Sequence, residues 1–374
     1  MILFALTFLA IYTGMHALVF WGFHPLLKGH PLLPTLTWAW MAAMILAPLL
    51  VRLLDRAGFE MAARGMAWVG YSWMGLLFLA FAAFAIFGAW ELLAHLTAKI
   101  VPSLSSLSLH GALPAALVLF GVIAASFYGL YEASNLRVEE VRIVTAKLPA
   151  GSPPLRIAQV SDLHLGLILR EEALAPIVAR LQELKPDLLV ATGDIVDAQI
   201  SHLDELISLW QSLDPPLGKY AVTGNHEVYA GLEQSLEFLR RSGFRVLRNE
   251  GVTAGDRLNL AGVDDPARGG PVDEVPVLQG LDRGLFTLLL KHRPRLNRQA
   301  LGLFDLQVSG HAHRGQIFPF NLLTALEYPL QDGLYPLDGG GHLYASRGTG
   351  TWGPPMRILS PPEITLFEIV PASP

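Results

Sequence analysis

Leu155–His164 reads LRIAQVSDLH: a strand-length apolar run that stops at Ser161 and then places Asp162 and His164 two positions apart. Four further fragments repeat this grammar, DLLVATGD (187–194), KYAVTGNH (219–226), FTLLLKH (286–292) and LQVSGHAH (306–313). Each run has the length and the β-branched or Leu content of a buried strand, and each polar residue falls where that strand should stop. Together the ends deliver Asp162, His164, Asp194, Asn225, His226, His292, His311 and His313. Strands that end together in an α/β sandwich bring such side chains around one crevice. The expected fold is therefore α/β in this part of the chain.

The residue types point to a reaction. Carboxylates, imidazoles and one amide form an oxygen and nitrogen donor set suited to two divalent cations. Asp162 and His164, two apart, point the same way on an extended chain and can grip one ion. Asp194 follows a strand and a Gly, and its two oxygens can bridge two cations. Asn225 offers a carbonyl oxygen, while its neighbour His226 is free for proton work. His311 and His313 alternate as Asp162 and His164 do. The chemistry such a set performs is phosphoester hydrolysis.

The ordered set D-x-H, G-D, G-N-H, H and G-H-x-H resembles the calcineurin-like metallophosphoesterase superfamily over roughly residues 154 to 370. GVDDP, KHRP, SRGTGTWGPPMR and PPEITL resemble its bacterial membrane-associated branch, which includes tethered phosphodiesterases and enzymes that cleave UDP-2,3-diacylglucosamine. The resemblance implies a two-sheet β-sandwich flanked by helices, an αββα arrangement. It assigns one metal to Asp162, His164, Asp194 and His313, and the other to Asp194, Asn225, His292 and His311. It makes Asp194 the bridge and His226 the proton donor. The cofactors expected are two divalent ions, manganese, iron or zinc.

Other residues carry weaker expectations. Asp197 is expected to orient a ligand rather than bind metal, and Asp264 and Asp265 to shape a turn. Arg314 stands where the family often has Gly; it either reaches a substrate anion or is a solvated loop charge. The greasy stretch FPFNLLTALEYPL (318–330) is read first as ordinary core, and second as a lip for the bilayer or an acyl chain. Arg347 and Trp352 either border the site or pack the Gly-rich turn, and His202 and His342 are structural.

Outward from this half the composition changes. The 374 residues are 52% hydrophobic and 16% charged, too apolar for one ordinary soluble domain. The excess lies before about residue 131, in four runs long enough to span a bilayer: 2–23, 36–54, 66–90 and 112–131. The first lacks a basic stretch ahead of it and is read as a span, not a cleaved signal. His16, inside it, is expected to be neutral and to donate to a backbone carbonyl. A four-helix transmembrane region over 1–134 and a catalytic domain over 135–374 follow.

Arg52, Arg56 and Arg64 flank the loop between the second and third runs, and Arg137, Arg142 and Lys147 follow the fourth; the opposite side offers Lys28 and Lys99. That bias puts the catalytic half in the cytoplasm, against what would be a bacterial inner membrane. A net charge of −5 argues against a nucleic-acid partner, and the absence of Cys removes thiolate ligands and disulfides. The expected partners are a phosphoester substrate, with a lipid-linked one as the narrower expectation, and membrane lipid; oligomeric state is open. The rival readings are a catalytically inactive metal-binding sensor or scaffold, and a transporter with a regulatory domain.

Overall fold

In the computed structural model the described residues are 2–100, 108–197, 203–270 and 272–372; His202 and residues 101–107 of the linker before the fourth span lie outside them. The chain divides into two compact units, Met1–Tyr131 with Gly353–Met356, and Glu132–Trp352 with Arg357–Pro374.

The first unit holds four helices, α1 (Ile2–Leu27), α2 (Leu33–Arg56), α3 (Glu60–Ala98) and α4 (Ala112–Ser134), each long and apolar enough to cross a membrane. All four run past the spans read from hydropathy. The flanks of α3 explain this: Glu60–Arg64 and Glu91–Ala98 are dominated by good helix formers, so the helix continues beyond its apolar stretch. At about 1.5 Å per residue α3 is about 58 Å long, against a hydrocarbon core of about 30 Å. Tyr12, Val19, Met41, Leu77, Ala80, Phe84 and Val122 pack between the helices, while Leu117, Phe120 and Phe127 of α4 face outward. Such outward apolar surface suits a lipid solvent. Buried His16 donates from Nδ1 to the Tyr12 carbonyl at 2.7 Å and accepts the Trp73 indole N–H on Nε2 at 3.0 Å, the bonding of a neutral imidazole.

Among the described residues the second unit has twelve strands: β1 (Arg137–Thr145), β2 (Leu155–Val160), β3 (Leu188–Ala191), β4 (Lys219–Ala221), β5 (Arg245–Val246), β6 (Glu250–Ala254), β7 (Leu258–Gly262), β8 (Phe286–Leu290), β9 (Leu306–Ser309), β10 (Gly333–Pro336), β11 (His342–Ala345) and β12 (Glu363–Pro371). One sheet has the order β1-β12-β2-β3-β4-β5 and the other β10-β11-β9-β8-β7-β6. Helices α5 (Glu171–Leu184), α6 (Asp204–Gln211) and α7 (Asn225–Arg241) follow β2, β3 and β4; α8 (Val275–Gln279) and α9 (Asn321–Glu327) belong to the second half.

Strand alternation sorts the core into layers. Ile157, Val190, Leu288, Leu290, Val308 and Phe367 fill the space between the sheets. Their neighbours Ala158, Ala191 and Leu366 face away, onto Leu174, Leu181, Trp210 and Leu239 of α5–α7. On the other outer face Ala261 and Leu289 pack under Leu278 of α8. The arrangement is αββα, as the resemblance implied. Register sets the site: β2, β3 and β4 run parallel with Val160 beside Ala191 and Ala191 beside Ala221, and β8 and β9 run parallel with Leu290 beside Val308. Five strands therefore end level. The last long strand, β12, lies between β1 and β2, parallel to β1 and antiparallel to β2, a placement its sequence did not announce.

Candidate metal centre

All eight residues read from the strand ends meet at that edge, and seven of them are buried, with His311 half-buried. Asp162, His164 and His313 form one group of donor atoms, and Asp194, His292 and His311 a second. In the first, His164 Nε2 stands 3.1 Å from His313 Nε2, which is 3.5 Å from Asp162 Oδ1. In the second, His292 Nε2 lies 3.2 Å from Asp194 Oδ2, 3.3 Å from Asn225 Oδ1 and 3.0 Å from His311 Nδ1. Donors bonded to one ion at about 2.1 Å sit about 3.0–3.4 Å apart, so these edges fit metal coordination. His164, Asp194 and His226 group as well, which joins the two clusters through Asp194.

The route by which the donors converge differs from simple strand alternation. Asp162, His164, Asp194, His311 and His313 all have positive φ, between 48° and 71°. They lie just beyond the strands, in tight left-handed turns, and it is these turns that aim the side chains. Such conformations are costly for non-glycine residues and persist where surrounding bonds enforce them. Here the bonds are visible: His311 N–H donates to both carboxylate oxygens of Asp162, at 2.9 and 3.0 Å, and His226 N–H donates to Asp194 Oδ1 at 2.8 Å. His292 donates from Nδ1 to the Thr192 carbonyl at 2.8 Å, which turns its Nε2 lone pair inward. Gly310 is required by close approach, since a Cβ there would lie 2.0 Å from Ser161 Oγ and 2.1 Å from Asp162 Oδ2.

In the metal-free site burial pushes the Asp162 carboxyl up to about 7. Burial, reinforced by His226, pushes His164 down to about 3, and burial with His292 pushes His311 down to about 2. Burial likewise holds His313 well below the usual imidazole range. Neutral imidazoles are the form that ligates. Burial disfavours charge on both Asp194 and His292, yet their mutual attraction outweighs it: Asp194 lies well below the carboxylate range and His292 is held up at about 10.

His226 sits apart in role. Burial opposes its charge, but a 3.0 Å hydrogen bond from Nδ1 to Asp197 Oδ1 and the nearby Asp194 raise it to about 9. That shift favours the protonated imidazole in the metal-free site. Asp197, expected to orient a metal ligand, bonds instead to the imidazole of His226, which is outside the proposed ligand set.

Other expectations resolve individually. Asp265 caps the turn at Pro266–Arg268 by accepting from Ala267 N–H, and it also pairs bidentately with Arg293, next to His292. Asp264 pairs with Arg248 and Arg268. Arg314 is bonded to Asp332 at 3.1 Å. Arg347 reaches Glu139, Glu363 and Asp332, an ion network. The Trp352 ring, half exposed, lies 5.8 Å from that of His226 and borders the site. His342 lies in β11, paired with Leu306 and Pro336.

The first reading of 318–330 as core is corrected. Phe318, Phe320, Leu322, Leu323 and Leu326 are 41–80% exposed. The reason is length: α9 has seven residues, two turns, too few to turn all its apolar side chains under the sheet. Two residues carried no expectation and prove central. Glu227 is wholly buried and accepts the N–H groups of Gly224, Asp194, Ile195 and Val196 at 2.6–3.3 Å. Its signal was present, an acidic residue three beyond a helix-capping Gly. Arg357 is also wholly buried, 3.2 Å from His313 Nδ1, and had no sequence signal beyond the quoted SRGTGTWGPPMR.

The calcineurin-like phosphoesterase family profile matches residues 155–315, the span that carries all these donors. A metallophosphoesterase of Aquifex aeolicus is 43% identical over 257 residues, covering 67% of this chain and 98% of that protein. The chain belongs to the calcineurin-like phosphoesterase family. This metallophosphoesterase is also 33% identical to YkuE, a metallophosphoesterase of Bacillus subtilis, over 67% of the chain and 94% of YkuE. It is 36% identical to a Danio rerio protein described as a transmembrane protein with metallophosphoesterase domain, over 67% of the chain and 61% of that protein. Among solved structures, a dimetal phosphatase from Danio rerio aligns over 53% of this chain and 88% of its own, at 13% identity and TM-score 0.35.

Proposed function

We propose that this metallophosphoesterase is an integral membrane enzyme that hydrolyses a phosphodiester or pyrophosphate at a two-metal centre. The observation that carries the reading is the pair of donor groups joined through Asp194. Asp162, His164, Asp194 and His313 would hold one ion, and Asp194, Asn225, His292 and His311 the other. Two divalent cations, manganese, iron or zinc, supply Lewis acidity that neutralises phosphate charge and makes water acidic enough to attack near neutral pH. The chain's own residues do the rest. His226, protonated and steered by Asp197, gives its proton to the leaving oxygen. The turns at Asp162 and Asp194 are pinned by backbone N–H bonds, so the donors are organised before substrate arrives. No covalent enzyme intermediate is required.

The narrower proposal is a lipid-linked substrate, of which UDP-2,3-diacylglucosamine is one chemical example. It is supported by the exposed apolar face of Phe318–Leu326, directly after the turn that carries His313. The four candidate spans and the transmembrane description of the Danio rerio relative support the membrane assignment. The Lys and Arg bias supports a cytoplasmic site.

The test is to incubate the metal-loaded full-length protein with a total lipid extract and follow phospholipid loss by mass spectrometry. Leu322→Gln with Leu326→Gln should raise KM for the lipid consumed while leaving cleavage of a water-soluble activated diester unchanged. Consumption of water-soluble esters alone removes the lipid proposal. Two bound metals with no hydrolysis of any ester would instead support an inactive metal-binding scaffold.

A further inference from the structure

Arg357 is wholly buried, although a guanidinium is among the costliest groups to take out of water. Its N–H groups are spent on neutral acceptors. Nε donates to the Gly350 carbonyl at 2.8 Å, Nη1 to the carbonyls of Arg347 and Ser360 at 2.8 and 2.9 Å, and Nη2 to Gly350 again at 2.6 Å. The remaining direction of Nη2 points at His313 Nδ1, 3.2 Å away. A guanidinium cannot accept a hydrogen bond, so this contact does not hold His313 as an Nε2 ligand; the acceptor carbonyls carry the link to the site.

The acceptors lead to the site as well. Gly350, held twice by Arg357, donates its N–H to the Asp162 carbonyl at 3.1 Å, and Thr349 N–H donates to the Ser161 carbonyl at 2.7 Å. Ser360 Oγ, 3.4 Å from Nη1, donates to the His313 carbonyl at 2.6 Å. His313 is thus held at its backbone through Ser360, and Asp162 at its backbone through Gly350. The packing leaves no slack: at Gly348, φ is +84°, and a Cβ would stand 3.0 Å from Asp162 Cβ, 3.1 Å from Arg357 Nη2 and 3.4 Å from His313 Nδ1.

We propose that Arg357 is a positioning residue for the first metal position, holding the backbones of Asp162 and His313 in place through Gly350 and Ser360. The proposal rests on the two-metal reading above. It gives the segment Ser346–Ser360, which holds none of the eight donors, a function: it is the scaffold of one of the two metal positions. The bonds of His292, His311 and Asn225 named above include none from Arg357, so its loss should act on one position of the pair. Groups that hold ligands in place from outside the coordination shell typically contribute about 10–100-fold to metal affinity.

The test is metal titration of the full-length protein in detergent, with Mn(II) alone as probe, by calorimetry and by the electron paramagnetic resonance signal of coupled Mn(II) pairs. The parent should bind two equivalents and show the coupled signal. Arg357→Met should keep one equivalent at parental affinity, weaken the other about 10–100-fold, and lose the coupled signal at low Mn(II). Ser360→Ala keeps the guanidinium and removes one grip on His313, so it should weaken the same equivalent by less; it serves alone if Arg357→Met does not fold. Two equivalents at parental affinity in these variants overturn the proposal, and so does equal weakening of both. A parent that binds fewer than two equivalents removes the two-metal reading instead.

Discussion

His226 Nδ1 lies 3.0 Å from Asp197 Oδ1, and that bond, with Asp194 nearby, outweighs burial and holds the imidazole up at about 9. The folded pKa is raised above the ordinary 6.5, so the pairing stabilises the metal-free fold fully below about pH 6.5 and is lost as pH rises through about 9. Asp197→Asn removes the charge and weakens the bond. The alkaline limb of the pH–kcat profile should therefore move to lower pH, while the acidic limb stays. An unmoved alkaline limb would mean that another group limits the rate there.

In the proposed mechanism His226 protonates the leaving oxygen, so its loss should matter most when that oxygen is a poor leaving group. His226→Ala should lower kcat by about 10²–10⁴ for an alkyl phosphodiester. For a nitrophenyl ester, whose leaving group needs no proton, the loss should be far smaller. Comparing the two substrates measures this; equal losses on both would sink the donor role.

Asp194 stands between both donor groups. Asp194→Asn should abolish cleavage of an activated diester and reduce bound metal below two equivalents, with the fold retained by circular dichroism. Full activity in this variant would end the bridging assignment.

Glu227 collects four backbone N–H groups around the Asp194 turn. Glu227→Ala orphans them in a buried place, at a cost of roughly 3–5 kcal/mol. The expected reading is a clear fall in the unfolding midpoint, with loss of metal binding as the turn at Asp194 relaxes. A midpoint within 1–2 °C of the parent, on the order of what a surface change gives, would contradict it.

The chain has no cysteine, which makes single-cysteine labelling clean. With the catalytic unit in the cytoplasm, Lys28→Cys should react with a membrane-impermeant maleimide in intact cells and Ala57→Cys should not. The reverse pattern would invert the orientation.

Much of the site was legible because its donors are local to strand ends. Asp162, Asp194 and His292 each follow an apolar run by one to three residues, and strand periodicity reports such runs. What misled was the assumption of extended backbone: the turns at Asp162, His164, His311 and His313 are left-handed, and local composition does not report φ. The exposure of Leu322, Leu323 and Leu326 was illegible for a different reason. Burial depends on how much sheet lies beneath a segment, and a short helix after the His313 turn has little.

The sequence by itself determined the reaction class, the strands that carry it and the apolar half that can enter a membrane, because each is written in residue types within a few positions of one another. Only the tertiary structure decided which donor atoms lie within reach of one another, that Asp197 bonds to His226, and that Arg357 approaches His313 from 44 positions away. Those relations depend on parallel register between β2, β3 and β4, on the level ends of β8 and β9, and on a loop folded back from β11. They are distances through space between residues far apart in the chain, and no local pattern encodes them.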